Sequence, residues 1–162
     1  VGYVYITRPL LEMLDTDAEL AAVLSHEMVH ICHLHAVGNY ERQIGLTVTA
    51  MVVGAVTGKM QSAADMLDLL GQILDVGYSY SQEYDADSTG MVYLMKAGYP
   101  MEGMQSLLNR LSSLERALGD NKRGFSRTHP PTESRMGNAR QKRQELAVYE
   151  TVNTYLRWRM RR

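Results

Sequence analysis

Residues 16–31 read T-D-A-E-L-A-A-V-L-S-H-E-M-V-H-I, and within them His26, Glu27, Met28, Val29 and His30 form an H-E-x-x-H pentad. On an α-helix the two histidines stand one turn apart on a single face, so both imidazoles reach one tetrahedral metal ion. Glu27 projects about 100° away from His26 around the axis, where it approaches the open side of such an ion without ligating it. That is the place of a general base. The pentad alone arises by accident in roughly one chain of this kind in a hundred, so its surroundings decide. Thr16 to Glu19 is a capping box, in which Thr16 accepts from the N3 amide and Glu19 reaches back to the N-cap amide. Apolar residues then fall nearly all round 20–31, which predicts a buried helix, here taken over 16–36. Histidines and a glutamate on such a helix are costly without partners, so they are hydrogen-bonded or bound to metal.

The third ligand separates kinds of metal centre. In the H-E-x-x-H-x-x-G-x-x-H arrangement this chain has His33 at the glycine and Ala36 at the third histidine, so that pattern fails. His33 shares the face of His26 but lies about 10 Å along the axis, and His35 falls on the opposite face. Both read as hydrogen-bonded or solvated helix-end histidines rather than ligands. Further on, residues 79–90 read S-Y-S-Q-E-Y-D-A-D-S-T-G. Glu83 completes a His, His, Glu set and leaves a fourth position for water, as catalytic zinc requires. Asp87, one turn on, is expected to accept the other ring N–H of a liganding histidine, His26, and so fix its tautomer. The competing reading is an acidic solvated face, but Ala86, Gly90, Met91 and Leu94 suggest packing.

Several separate segments together resemble the CaaX prenyl endopeptidase and HtpX-like zinc metallopeptidases, and the resemblance covers most of the chain. They are Tyr3 to Leu14, Glu19 to His35, Glu83 to Asp87 with Ala97-Gly98-Tyr99-Pro100, and Thr128-His129-Pro130-Pro131 with Arg135. The resemblance implies one Zn2+ per chain on His26, His30 and Glu83, with Glu27 catalytic. It also implies an α+β, mainly α, minimal zincin-like (gluzincin) fold with a small, N-terminally truncated sheet, and a periplasmic or otherwise extracytoplasmic bacterial location. One departure is visible, since Tyr80 stands where the family commonly has arginine. His129 is expected to be catalytic, either hydrogen-bonding the oxyanion of the tetrahedral intermediate or occupying the open zinc position; the competing reading is a surface histidine shaping the turn before Pro130. Arg135 is a candidate substrate or transition-state contact.

Composition bounds the rest. The chain has 162 residues, 45% hydrophobic and 22% charged, which is ordinary material for one globular domain with its own core. A net charge of −1 gives no reason to expect nucleic acid. With the single Cys32 no intrachain disulfide is possible, and a packed small hydrophobe is its default reading. The eleven methionines read first as adaptable core packing. Residues 44–58 are apolar but too short to span a bilayer, and predict a buried or lid-like helix near the site. Val1 in place of Met, opening directly into a strand, implies residues upstream.

The predicted organisation of 1–162 is an edge strand over 1–8, the first metal helix over 16–36 and the second over 61–97, with an interruption at Gly77. A helix over 101–118, a loop over 119–131 and a C-terminal helix over 132–162 follow. The arginine-rich end suits a helix C-terminus, with peripheral membrane contact as the lesser reading. The expected activity is zinc-dependent hydrolysis of peptide bonds in unfolded or misassembled polypeptides. The alternative is a chaperone-like or regulated binding module whose zinc site is latent, and a fourth protein ligand such as His129 would favour it.

Overall fold

The computed structural model describes residues 3–59, 62, 64, 67, 68, 77–119 and 129–160, with side chains to 151. Among the described residues the architecture is carried by α1 (Arg8–Met13), α2 (Asp17–Cys32), α3 (His35–Thr57), α4 (Tyr80–Ala97), α5 (Glu102–Leu118) and α6 (Glu133–Met160). The mainly α expectation is met. The small sheet is not: no strand occurs among the described residues. Residues 3–7 run without helix or ladder, and Tyr3 and Tyr5 are exposed. Alternation of side chains makes a strand only where a neighbour takes up the backbone hydrogen bonds. The expected helix start between 61 and 76 lies largely outside the described residues, as do Thr128 and most of the loop over 119–131.

Helix α2 is the centre of the bundle, packing on α4 and α5, with α6 closing over α4 and α5. Ala22 and Val23 of α2 meet Met91 and Leu94 of α4 and Met104, Leu107, Leu108 and Leu111 of α5 in one apolar cluster. Methionines therefore do serve the core. Gly103 sets the approach of α5 to α2, because a Cβ there would lie 2.4 Å from the Ala18 carbonyl oxygen. At the start of α2, Thr16 Oγ1 accepts from the Glu19 amide at 3.2 Å, as a capping residue should. Glu19 closes back one residue earlier than expected, onto the Asp15 amide at 2.7 Å. Its second oxygen accepts from Ser106 Oγ at 2.5 Å and Arg110 Nε at 2.6 Å on α5. A capping glutamate thus doubles as an interhelix tie, and Arg110 also pairs with Asp15.

Three expectations change. The helix over 16–36 is divided: α2 ends at Cys32, and Leu34 takes φ 54° and ψ 33°, the left-handed region that costs an L-residue about 1–2 kcal/mol. Helix α2 is not buried all round, since Leu24 and Met28 are exposed, and Cys32 is exposed where packing was expected. Helix α3 touches α2 near its own start and leaves Val48, Val52, Val53 and Val56 exposed, so 44–57 is not a buried helix. No helix among the described residues is long and apolar enough to cross a membrane.

Candidate metal centre

The pentad is held against α4 by backbone proximity. A Cβ at Gly90 would lie 3.2 Å from Ser25 Oγ and 3.4 Å from the His26 amide nitrogen, so the two helices meet closely beside the first histidine. The start of α4 is fixed by Ser79, whose hydroxyl accepts from the Gln82 amide while Gln82 Oε1 accepts from the Ser79 amide. Gln82 also exchanges hydrogen bonds with Asn39 of α3, at 2.9 and 3.0 Å. Glu83 follows directly and is completely buried.

Across that interface four side chains converge. His26 Nε2 and His30 Nε2 are 3.1 Å apart, His30 Nε2 is 3.3 Å from Glu83 Oε1, and His26 Nε2 is 3.7 Å from Glu83 Oε2. Zinc with bonds of about 2.0–2.1 Å at tetrahedral angles separates its ligands by about 3.3 Å. The edges between the two histidines and from His30 to Glu83 Oε1 lie close to that value, and the 3.7 Å distance runs to the other carboxylate oxygen. The opposite ring nitrogens are already engaged, His26 Nδ1 with Asp87 Oδ1 at 3.0 Å and His30 Nδ1 with His35 Nδ1 at 3.0 Å. With His26 donating to Asp87, its Nε2 carries a lone pair, and a cation or a proton from His30 must lie in the 3.1 Å gap. Glu83 Oε2 is buried without an aligned hydrogen bond, although Arg135 Nη1 lies 2.6 Å away. These donors fit a divalent metal.

His129, from the loop before α6, reaches the same place. Its Nδ1 lies 2.8 Å from Glu83 Oε1, and with His26, His30 and Glu83 it makes a fourth donor within 4.8 Å of the others. Arg135, from the first turn of α6, sits behind the carboxylates, with Nε 2.8 Å from Asp87 Oδ2 and Nη2 2.6 Å from Asp87 Oδ1. The helix that carries it is anchored by Glu115 of α5, whose carboxylate accepts from the Thr132 amide and, at 2.6 Å, from the Thr132 hydroxyl. Glu27 is half-buried and lines two clefts at once. One, of about 330 Å³, is shared with His26, His129, Arg135 and Tyr5; the other, of about 430 Å³, with His30, Tyr78 and Tyr3 to Tyr5.

Electrostatics follow from burial and partners. Burial pushes the Glu83 carboxyl up, but hydrogen bonds from His129 and His30 and the charge of Arg135 outweigh it and hold Glu83 far below the usual carboxylate range. Asp87 shows the same balance, burial opposed by Arg135 and His26, with a net lowering. Burial lowers His30, which keeps the ring neutral and able to ligate.

Two participants escaped the sequence reading. Tyr78 stacks on His30, with ring centroids 3.7 Å apart, and burial with nearby Glu27 and Glu83 raises its phenol, keeping it a neutral donor. An aromatic just before the Ser79 cap was its only signal. His35 was expected on the opposite face and instead touches His30, because the left-handed turn at Leu34 swings the start of α3 back toward α4.

A sequence model described as Peptidase family M48 matches residues 1–143. The chain is 27% identical over 170 aligned positions to the Beta-barrel assembly-enhancing protease of Yersinia pestis, covering 99% of this chain and 35% of that protein. It is 24% identical over 141 positions to Metalloprotease YcaL of Escherichia coli, covering 86% of this chain and 54% of that one. To the Mitochondrial metalloendopeptidase OMA1 of Schizosaccharomyces pombe it is 29% identical over 143 positions, 83% of this chain and 39% of that one. The chain thus spans about a third to a half of the length of these relatives. No solved structure matches it. Since the family match runs unbroken through the pentad, through Glu83 and Asp87 and past Arg135, the chain belongs to peptidase family M48.

Proposed function

We propose that this chain is a zinc-dependent endopeptidase of zincin-like fold that hydrolyses peptide bonds in unfolded or misassembled polypeptides. The observation that carries the reading is the set of ligand separations of 3.1, 3.3 and 3.7 Å among His26, His30 and Glu83, with the outer ring nitrogens of both histidines already engaged. His26, His30 and Glu83 hold the metal. Bound zinc supplies Lewis-acid polarisation of the scissile carbonyl and lowers the pKa of water toward about 7.

The chain's own residues do the rest. Glu27 accepts a proton from the attacking water and passes it to the leaving amine. Asp87 holds His26 in the tautomer that leaves Nε2 free, and Arg135 neutralises the buried pair of carboxylates. Substrate lies extended beside residues 3–7, which pair with no strand of the described chain and leave Tyr3 and Tyr5 exposed, and the two clefts flanking Glu27 both reach Tyr5. The beta-barrel assembly named in the bacterial relatives is the ground for proposing a role in protein quality control and a periplasmic location. Zinc quantification beside digestion of an unfolded protein by wild type and Glu27→Gln tests this. The variant should keep the zinc held by His26, His30 and Glu83 and lose hydrolysis; undiminished cleavage would falsify the assignment.

A second reading rests on His129. A donor 2.8 Å from Glu83 and grouped with all three ligands completes a four-residue set, which describes a closed, regulated site. His129→Ala separates the two roles, raising turnover if His129 closes the site and lowering it if His129 stabilises the oxyanion.

A further inference from the structure

A second set of donors converges outside that centre, where α2 gives way to α3. Asp85 Oδ2 is hydrogen-bonded to His33 Nδ1 at 2.5 Å, a contact that a shared metal would replace and lengthen to about 3.3 Å, and lies 3.3 Å from His35 Nε2; one donor atom from each of the three residues falls within 4.8 Å of the others. On a continuous helix residues 33 and 35 would point about 200° apart. The left-handed Leu34 between them turns both rings toward α4. Thr89, one turn beyond Asp85, donates its hydroxyl to Asp85 Oδ1 at 3.1 Å and so holds Oδ2 toward the imidazoles. The His33 and Asp85 side chains are 39% and 37% exposed, which leaves room for water to complete a coordination sphere. Two imidazole nitrogens with one carboxylate oxygen form a donor set for zinc, nickel or copper rather than for calcium or magnesium.

We propose that His33, His35 and Asp85 form a second transition-metal site, and that its occupancy opposes that of the first through the hydrogen bond between His35 and His30. The site itself stands on its own geometry; the opposition rests on His30 being a ligand, as in the function proposed above. A single hydrogen fits between His30 Nδ1 and His35 Nδ1, 3.0 Å apart. With metal on His30 Nε2 that hydrogen belongs to His30, so His35 Nδ1 accepts and the hydrogen of the neutral His35 ring is on Nε2, facing Asp85. Metal on His35 Nε2 moves the ring hydrogen to Nδ1 and sets two N–H groups against each other. His30 must then turn away from its own metal.

Titration of zinc into the metal-free chain, followed by calorimetry and by peptide hydrolysis at each ratio, tests this. Wild type should take up two equivalents, with hydrolysis rising through the first and falling at least about fivefold through the second. His33→Ala and Asp85→Asn should each take up one equivalent and lose the falling phase, while His26→Ala should lose the tighter equivalent and keep the weaker. A wild type that takes up one equivalent, or variants at 33 and 85 that still take up two, overturns the second site. A falling phase that persists in His33→Ala overturns the opposition. If His33→Ala loses an equivalent but His26→Ala loses none, the second site stands and the reading of the first centre fails.

Discussion

Arg135 Nη1 lies 2.6 Å from Glu83 Oε2, and both side chains are buried. The same guanidinium grips Asp87, so one cation serves two carboxylates taken out of water. Arg135→Ala strands both charges and should destabilise the metal-free chain by about 3–5 kcal/mol, the usual loss for one partner of a buried pair. Saturating zinc should recover part of that by supplying other positive charge beside Glu83. Urea unfolding with and without zinc measures it; an equal loss in both conditions would argue that Arg135 is not tied electrostatically to the metal carboxylate.

Asp87→Asn replaces the charged acceptor of the His26 Nδ1–H by a neutral amide. Loss of such an outer partner lowers metal affinity by about 10–100-fold. Competition against a chromophoric chelator reads the change directly, and an unchanged affinity would remove Asp87 from the account of the site.

Acid should destabilise the metal-free chain in two stages. His30 and His35 are lowered from the usual 6.5, chiefly by burial, so the unfolded chain binds more protons than the folded one below that value. Asp87 and Glu19 are lowered from 3.8 and 4.5, burial being outweighed by Arg135 and His26 for the first and by Arg110 and Ser106 for the second. Wherever the unfolded state binds more protons, stability rises with pH. Stability is thus fullest above about 6.5, declines as the histidines protonate, and declines again below about 4.5. Melting temperatures across that range follow it, and Glu19→Gln should weaken the lower stage while leaving the upper one.

Gly103→Ala places a methyl group 2.4 Å from the Ala18 carbonyl oxygen, an approach that backbone must relieve. Destabilisation of about 1–3 kcal/mol is expected, as for other overpacked positions. Zinc uptake should remain one equivalent at the tight site, because α5 contributes none of its ligands. Denaturant midpoints of wild type and variant provide the comparison, and equal midpoints would mean that α2 and α5 can separate without cost.

Residues within one helix were readable in advance. The four-residue spacing of His26 to His30 and of Glu83 to Asp87 puts each pair on one face by helix periodicity, and Thr16 caps by local chemistry. The need of a liganding histidine for an outer carboxylate even pointed to Asp87, found 3.0 Å from His26. Tertiary structure decided what crosses between elements. Alternating side chains at 3–7 did not ensure a strand, since pairing requires a partner elsewhere in the chain. Neither glycine nor proline marks the left-handed turn at Leu34, yet that turn brings His35 to His30 and joins His33 to Asp85. Arg135 meets Glu83 from 52 positions away in sequence (135 − 83), where α6 packs on α4 and Glu115 ties its start to α5. Periodicity specifies which residues share a face, whereas which faces meet depends on packing of the whole core.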